Sequence, residues 1–244
     1  MKQDLSTRYA LLTRLPLFQG ISSTDLLNLE EAMRLDLEEF HASKQPLIRQ
    51  GDPCSKLVYL VEGELKRERR SADDRFSTRS SLRGPAVIEV DRLFGLTPTY
   101  EYSYHIQTDI KVLAIRKTLI SSHLMKSEVF RLNLLNTLSA IAQKKSAALL
   151  PVQMNNAEER LRHFVGTLFQ DSEGEVELFI QMTDIARYIG ETRVTVSRVL
   201  NGLNQEGSIR LGREHFTIHD IKAFLNKRNS MPSLQHHEPA IEYS

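Results

Sequence analysis

The chain has 244 residues, 41% of them hydrophobic and 26% charged, with a formal net charge of +1. That is the composition of a globular protein of one large or two ordinary domains, and it gives no argument for a disordered or wholly basic chain. One cysteine, Cys54, excludes an internal disulfide framework and an iron–sulfur cluster held within one chain. No apolar run is long enough to span a bilayer, and the first twenty residues lack a basic stretch followed by a continuous apolar core. The expectation is a cytoplasmic protein with no membrane partner.

Residues 5–40 read as helical pieces broken at Leu15-Pro16 and Gly20. From Gln45 to about Ile115 short apolar runs alternate with closely spaced turn signals: Gln50-Gly51-Asp52-Pro53, Glu62-Gly63, Ala72-Asp73-Asp74, Gly84-Pro85 and Thr97-Pro98. This pattern predicts an antiparallel β barrel or sandwich. A basic hairpin belongs to it, with Lys66, Arg67, Arg69 and Arg70 on its first arm. Lys66 to Arg83 holds seven basic residues and three acids, a pattern that more often marks a solvated face than a site.

The period then becomes helical. Ser127 to Leu150 has no Gly or Pro, and Leu134, Leu138, Ile141 and Ala148 form a coiled-coil-like seam. The seam predicts a homodimer through Leu134, Leu138 and Ile141; the alternative is a helix packed on its own domain. Pro151 ends or kinks this helix, Asn155-Asn156 reads as a hinge, and Asn156 is placed to cap a helix over Ala157–Phe169. After Glu173-Gly174 comes a compact helical unit closed by a strand pair, Ile209–Leu211 turning at Gly212-Arg213 into His215–Ile218. Domain limits follow at 1–126, 127–154, 155–229 and a polar tail, 230–244, read as disordered.

Inside the third unit, MTDIARYIG precedes ETRVTVSRVLNGLNQ. Thr183 is expected to cap a short helix and Thr192 a second. Ala186, Gly190 and Val196 supply what a tight helix-turn-helix needs: a small residue at the crossing, a left-handed turn residue and a β-branched core residue. Val196, Val199, Leu200 and Leu203 form the buried stripe of the second helix. Its other face carries Arg193, Val194, Ser197, Arg198 and Asn201 with no acid among them. That is the composition of a helix that reads base edges in the major groove.

At these residues the chain resembles the bacterial transcription regulators related to the cyclic-AMP receptor protein and the fumarate–nitrate reduction regulator. LIRQGDPCSKLVYLVEGELK is similar to the family's β-roll signature, and IARYIGETRVTVSRVLNGLNQEGSI to its helix-turn-helix signature. The resemblance covers nearly all of Leu11 to Leu225. It implies an α+β chain: an N-terminal cyclic-nucleotide-binding-like antiparallel β-roll, a long dimerisation helix and a C-terminal winged helix-turn-helix. It also implies a homodimer on a two-fold symmetric double-stranded DNA site, with RNA polymerase as a further partner. The base-reading positions fall on Arg193, Val194, Ser197 and Arg198. Arg198 stands where family members read a guanine, and Val194 replaces a common glutamate and suits a thymine methyl. Thr183, Thr192 and Thr195 are candidates for phosphate contacts.

The effector region departs from the cyclic-nucleotide pattern. Glu89 stands five residues after Gly84, but Ile88 replaces the glycine before it, and Tyr100-Glu101 falls where an Arg-Ser pair would hold the cyclic phosphate. A carboxylate there opposes a phosphate, so cyclic AMP is not expected. Tyr100, Tyr102 and Tyr104, at period two, share a strand face. They are either core or, with Glu89, the wall of a pocket for a flat or apolar ligand, haem included. His41 and His123 are the candidate haem ligands, and Cys54, in a turn, is a candidate redox thiol. No metal site stands out, and no paired carboxylates, Ser/His or Cys/His arrangement or phosphate loop speaks for an enzyme. Two readings remain: a regulator tuned by an effector other than cyclic AMP, or a constitutive DNA-binding protein with a vestigial, ligand-free roll.

Overall fold

The computed structural model describes residues 12–33, 37–43, 45–149, 154 and 156–226. The expected tail from Ser230, Pro151 and Asn155 lie outside them. Helix α1 spans Ser23–Met33, and strand β1, Leu37–Phe40, follows it. That strand corrects the expectation of helix up to residue 40. Seven more strands complete the roll: β2 (Pro46–Ile48), β3 (Lys56–Glu62), β4 (Glu64–Arg70), β5 (Phe76–Arg83), β6 (Ala86–Ile88), β7 (Ser103–Ile106) and β8 (Ile110–Arg116). After them come α2 (Lys117–Ser122) and the long α3 (Glu128–Leu149). The C-terminal unit holds α4 (Ala157–Leu168), β9 (Val176–Ile180), α5 (Met182–Ile189), α6 (Arg193–Gln205), β10 (Ile209–Gly212), β11 (His215–Ile218) and α7 (Ile221–Asn226).

Two antiparallel sheets result, one ordered β1-β8-β3-β6 and one β10-β11-β9-β5-β4-β7-β2. Strand β3 takes the centre of the first because Leu57 to Leu60 are all buried, as a strand covered on both faces requires. At its end Gly63 has φ +93, and a Cβ there would lie 2.4 Å from the Asp109 carbonyl oxygen. Only glycine fits that close crossing.

The core of the roll lies between these sheets and α3. Phe18 joins them, its ring 6.1 Å from Tyr59 and 5.6 Å from Phe130, and Asn133 Nδ2 donates to the Leu17 and Gln19 carbonyls.

Leu134 is buried in this core, and Leu138 and Ile141 pack against it. The chain's own roll therefore covers Leu134 and part of Leu138 and Ile141; periodicity marks an apolar stripe without saying what covers it. The side chain of Ala148 lies outside the described ones. Among the described side chains of α3 the exposed large apolar ones are Leu132 and Leu135, with Ser139, Ala142 and Ser146 exposed further along the same side.

The second sheet goes beyond what the sequence led us to expect. Strand β9 belongs to the C-terminal unit yet pairs with β5 of the roll, from Phe76 opposite Ile180 to Ser80 opposite Val176. Its other edge pairs with β11. The winged unit and the roll thus share one sheet.

Candidate nucleic-acid interface and effector cleft

The C-terminal core gathers Leu161, Val165, Ile185, Val196, Leu200, Leu203 and Phe216. Asn156 caps α4 as expected, its side chain accepting from the Glu159 N–H at 2.9 Å. Gly190 closes α5 with φ +66, the left-handed residue the turn calls for. Thr192 caps α6, its hydroxyl accepting from the Thr195 N–H at 3.1 Å. Thr183 does not cap α5: the cap position is Gln181, without a side-chain bond, and Thr183 lies in the first turn. Helix α4 is tied to the turn by an ion pair between Arg160 and Glu191.

This packing buries Val196, Leu200 and Leu203 and leaves Arg193, Val194 and Arg198 exposed, with Ser197 half-buried beside them. Val194 is 78% exposed, an apolar side chain held in water where an apolar partner such as a thymine methyl would be gained. Thr192 and Thr195 engage each other, Oγ to Oγ at 2.9 Å. Thr183 is exposed in a groove of about 360 Å³ whose lining includes Gln181, Arg193, Gly212 and His215. The start of α5, the start of α6 and the wing turn therefore open on one groove. Wing residues Arg210 and Arg213 are exposed as well. Sequence reasoning assigned them no role, although a basic wing beside a basic helix was visible.

The side chains of Arg193, Arg198, Arg210 and Arg213 have no hydrogen bond or ion pair among the described residues. Many arginines elsewhere are answered within the chain: Arg79 by Glu68, Arg83 by Glu64, Arg162 by Glu158, Arg187 by Asp184. Four unanswered arginines thus lie on α6 and the wing of one small unit, where a polyanion would supply the missing charge.

The unit is oriented by the roll. Phe76 of β5 meets Phe164 and Tyr188 edge-on, and those two rings stack at 5.0 Å. Arg67 of β4, buried, donates through Nε to Ser80 Oγ and through Nη2 to the Asp171 carbonyl and Ser172 Oγ.

A cleft of about 580 Å³ lies where the roll, α3 and the loop after α4 meet; Glu89, Tyr102, Tyr104, Ile141 and Lys145 are among its lining residues. Glu89 accepts from the backbone N–H groups of Glu101 and Tyr102 and from the Tyr104 hydroxyl. Burial nevertheless pushes its carboxyl above the ordinary range. Tyr102 lies under the guanidinium groups of Arg67 and Arg69. Tyr100 does not join this wall. It precedes β7, is buried, and turns its hydroxyl toward the Lys56 carbonyl, because the strict two-residue alternation starts only at Ser103.

Among the described residues, no His, Cys or Met lines the cleft. His41 is paired with Asp109 on the outside and His123 with Ser122, so the two candidate haem ligands stand away from it. Cys54 is buried, and desolvation raises its thiol above the ordinary value. Both disfavour the thiolate that a redox role needs.

Comparison with known proteins agrees with this architecture. Residues 159–226 match the model of the Crp-like helix-turn-helix domain. An anaerobic regulatory protein of Pasteurella multocida (strain Pm70) is 24% identical over 187 residues, which span 74% of this chain and 68% of that protein. The sensor domain of the transcriptional regulator DNR from Pseudomonas aeruginosa is similar in structure, with a TM-score of 0.50 at 18% identity over 62% of this chain and 98% of its own. The Catabolite Activator Protein of Thermus thermophilus gives a TM-score of 0.49 at 18% identity over 87% and 99%. A winged helix-turn-helix joined to a cyclic-nucleotide-binding-like roll defines a class, the two-part transcription regulators whose sensor and DNA-binding units share one chain. Residues 159–226 are a Crp-like helix-turn-helix domain, and the chain that carries it is similar to a transcription regulator of the Crp/Fnr type.

Proposed function

We propose that the protein acts as a homodimer that reads a two-fold symmetric DNA site through α6 and is tuned by an effector other than cyclic AMP. The observation that carries the DNA reading is the set of four unanswered arginines: Arg193, which lines the groove, and Arg198, Arg210 and Arg213, exposed on α6 and the wing. Arg198 reads a guanine through its O6/N7 pair, Val194 packs on a thymine methyl, and Arg193 and Ser197 complete the base-reading set. Thr183, Thr192, Arg210 and Arg213 meet phosphates. Thr195 contributes mainly by holding Thr192.

The dimer face is the exposed side of α3, Leu132 and Leu135 followed by Ser139 and Ala142, in place of the residues its own roll covers. A second copy fits there because two exposed leucines followed by small residues let two such helices approach closely. The domain limits proposed from the sequence, a roll to 126, a helix and hinge to 154 and a winged unit from 155, describe this division of labour. RNA polymerase is the proposed downstream partner.

The effector cleft lacks the Arg-Ser pair and the glycine that cyclic-nucleotide members use, which supports an effector held without a phosphate anchor. The test is selection of DNA sites from a random pool with the full chain. Symmetric half-sites centred about one helical turn apart support the proposal, and recovery of no preferred sequence overturns it.

A further inference from the structure

Glu101 sits on the rim of the effector cleft, on the loop before β7, and its two carboxylate oxygens go to two different guanidinium groups. Arg69 Nη1 donates to Oε1 at 2.5 Å, and Arg92 Nη2 donates to Oε2. The three residues come from separate parts of the roll: the β4 arm, the turn after β6 and the approach to β7. Burial pushes the Glu101 carboxyl up, but Arg69 and Arg92 outweigh it and hold it below the ordinary carboxylate range. It is therefore an anion at neutral pH. Its backbone N–H is fixed in turn by Glu89 at 2.5 Å.

The fit of this carboxylate is incomplete. Arg92 Nε is buried and has no acceptor among the described residues. A guanidinium offers Nε and Nη as a fork that takes both oxygens of an oxyanion side by side. The tethered carboxylate, spread between two arginines, reaches only the Nη2 prong of Arg92. An untethered oxyanion in the same place could take both prongs and still face Arg69. The adjoining cleft leaves room for the rest of a small organic ligand.

We propose that Arg69 and Arg92 form an oxyanion site that the chain fills from within by Glu101, and that a free phosphate or carboxylate binds there only when that side chain is removed. Tethering explains the exclusion. An attached anion meets the two arginines at an effective concentration that a dissolved anion at millimolar level does not overcome. The site is independent of the DNA-binding reading, since it lies wholly within the roll and can be measured without DNA.

The test uses the full-length chain and follows thermal unfolding of wild type and of Glu101→Ala in increasing inorganic phosphate or acetate, with sodium chloride at matched ionic strength as the control. In the variant two guanidinium groups face each other uncompensated. Its midpoint should fall below that of wild type and then rise by roughly 2 °C or more in millimolar oxyanion beyond the chloride control. Wild type should not respond. A further Arg92→Gln change in the variant should abolish the rise.

Phosphate and acetate arms rank the two oxyanion types, and a rise with either supports the site. Glu101→Ser serves as a second small replacement; if neither folds in chloride, folding restored by phosphate supports the proposal and no restoration overturns it. An equal rise in wild type, no rise in either variant, or a rise that survives Arg92→Gln overturns it as well.

Discussion

Replacing Arg198 with alanine separates sequence reading from simple charge attraction. In the free protein the Arg198 side chain is exposed and has no partner among the described residues, so its loss should leave folding within about 0.5 kcal/mol of wild type. It also has no intramolecular ion pair to give up on binding, so the full value of a bidentate guanine contact should appear as affinity. That value is about 1–3 kcal/mol per half-site. On a symmetric site contacted twice, the lower end alone is a loss of roughly 30-fold. The assay is a titration against a panel of single-base substitutions at one salt concentration. One base pair in each half-site should lose its discrimination while the others keep theirs. An even loss across the panel would show that Arg198 clamps a phosphate, and the assignment of the reading face would be wrong.

Arg213→Gln on the wing should weaken all sequences alike and flatten the salt dependence by about 0.9 for each phosphate it no longer neutralises; unchanged slopes would remove the wing from the interface. Leu135→Glu should give a folded monomer in sedimentation, whereas Leu138→Glu, on the side that packs against the roll, should lower the unfolding midpoint; a Leu135→Glu dimer counts against the α3 face. Gly190→Ala meets no atom within 4 Å but keeps φ +66, so it should cost about 1–2 kcal/mol in denaturant unfolding, and a much larger loss would mean the turn is crowded. Cys54, buried with a raised thiol, should be alkylated far more slowly than a free cysteine at pH 8 and at the ordinary rate once unfolded; equally fast labelling of the folded protein would contradict its burial.

The helix-turn-helix was legible because its requirements are local. Ala186, Gly190, Thr192 and Val196 each answer a demand made within a dozen residues, and each lies where that demand places it. What depended on distant partners was not legible. Val176–Ile180 alternates in burial as a strand should, but its partner β5 is about a hundred residues away, and nothing local says that a roll strand will receive it. The α3 stripe was visible, yet periodicity alone could not say that Leu134 packs on the roll. The charge of Glu101 alone marks it as hostile to a phosphate; that two arginines would close on it required the turn after β6 to fold back against β4. Thr183 is a favoured cap residue on paper, yet α5 starts at Met182 and leaves Gln181 at the cap without a side-chain bond.

The ladder between β5 and β9 has a kinetic consequence. Five residue pairs hold the winged unit to the roll, and sliding them by one residue would turn every β9 side chain to the wrong face. Val176, Leu178 and Ile180, now buried, would exchange places with Glu177 and Phe179. No gradual tilt of the reading helix is available while the ladder stands. A large reorientation of that helix against the roll must begin with a single cooperative opening, at a rate set by the ladder and independent of the concentration of whatever binds afterwards.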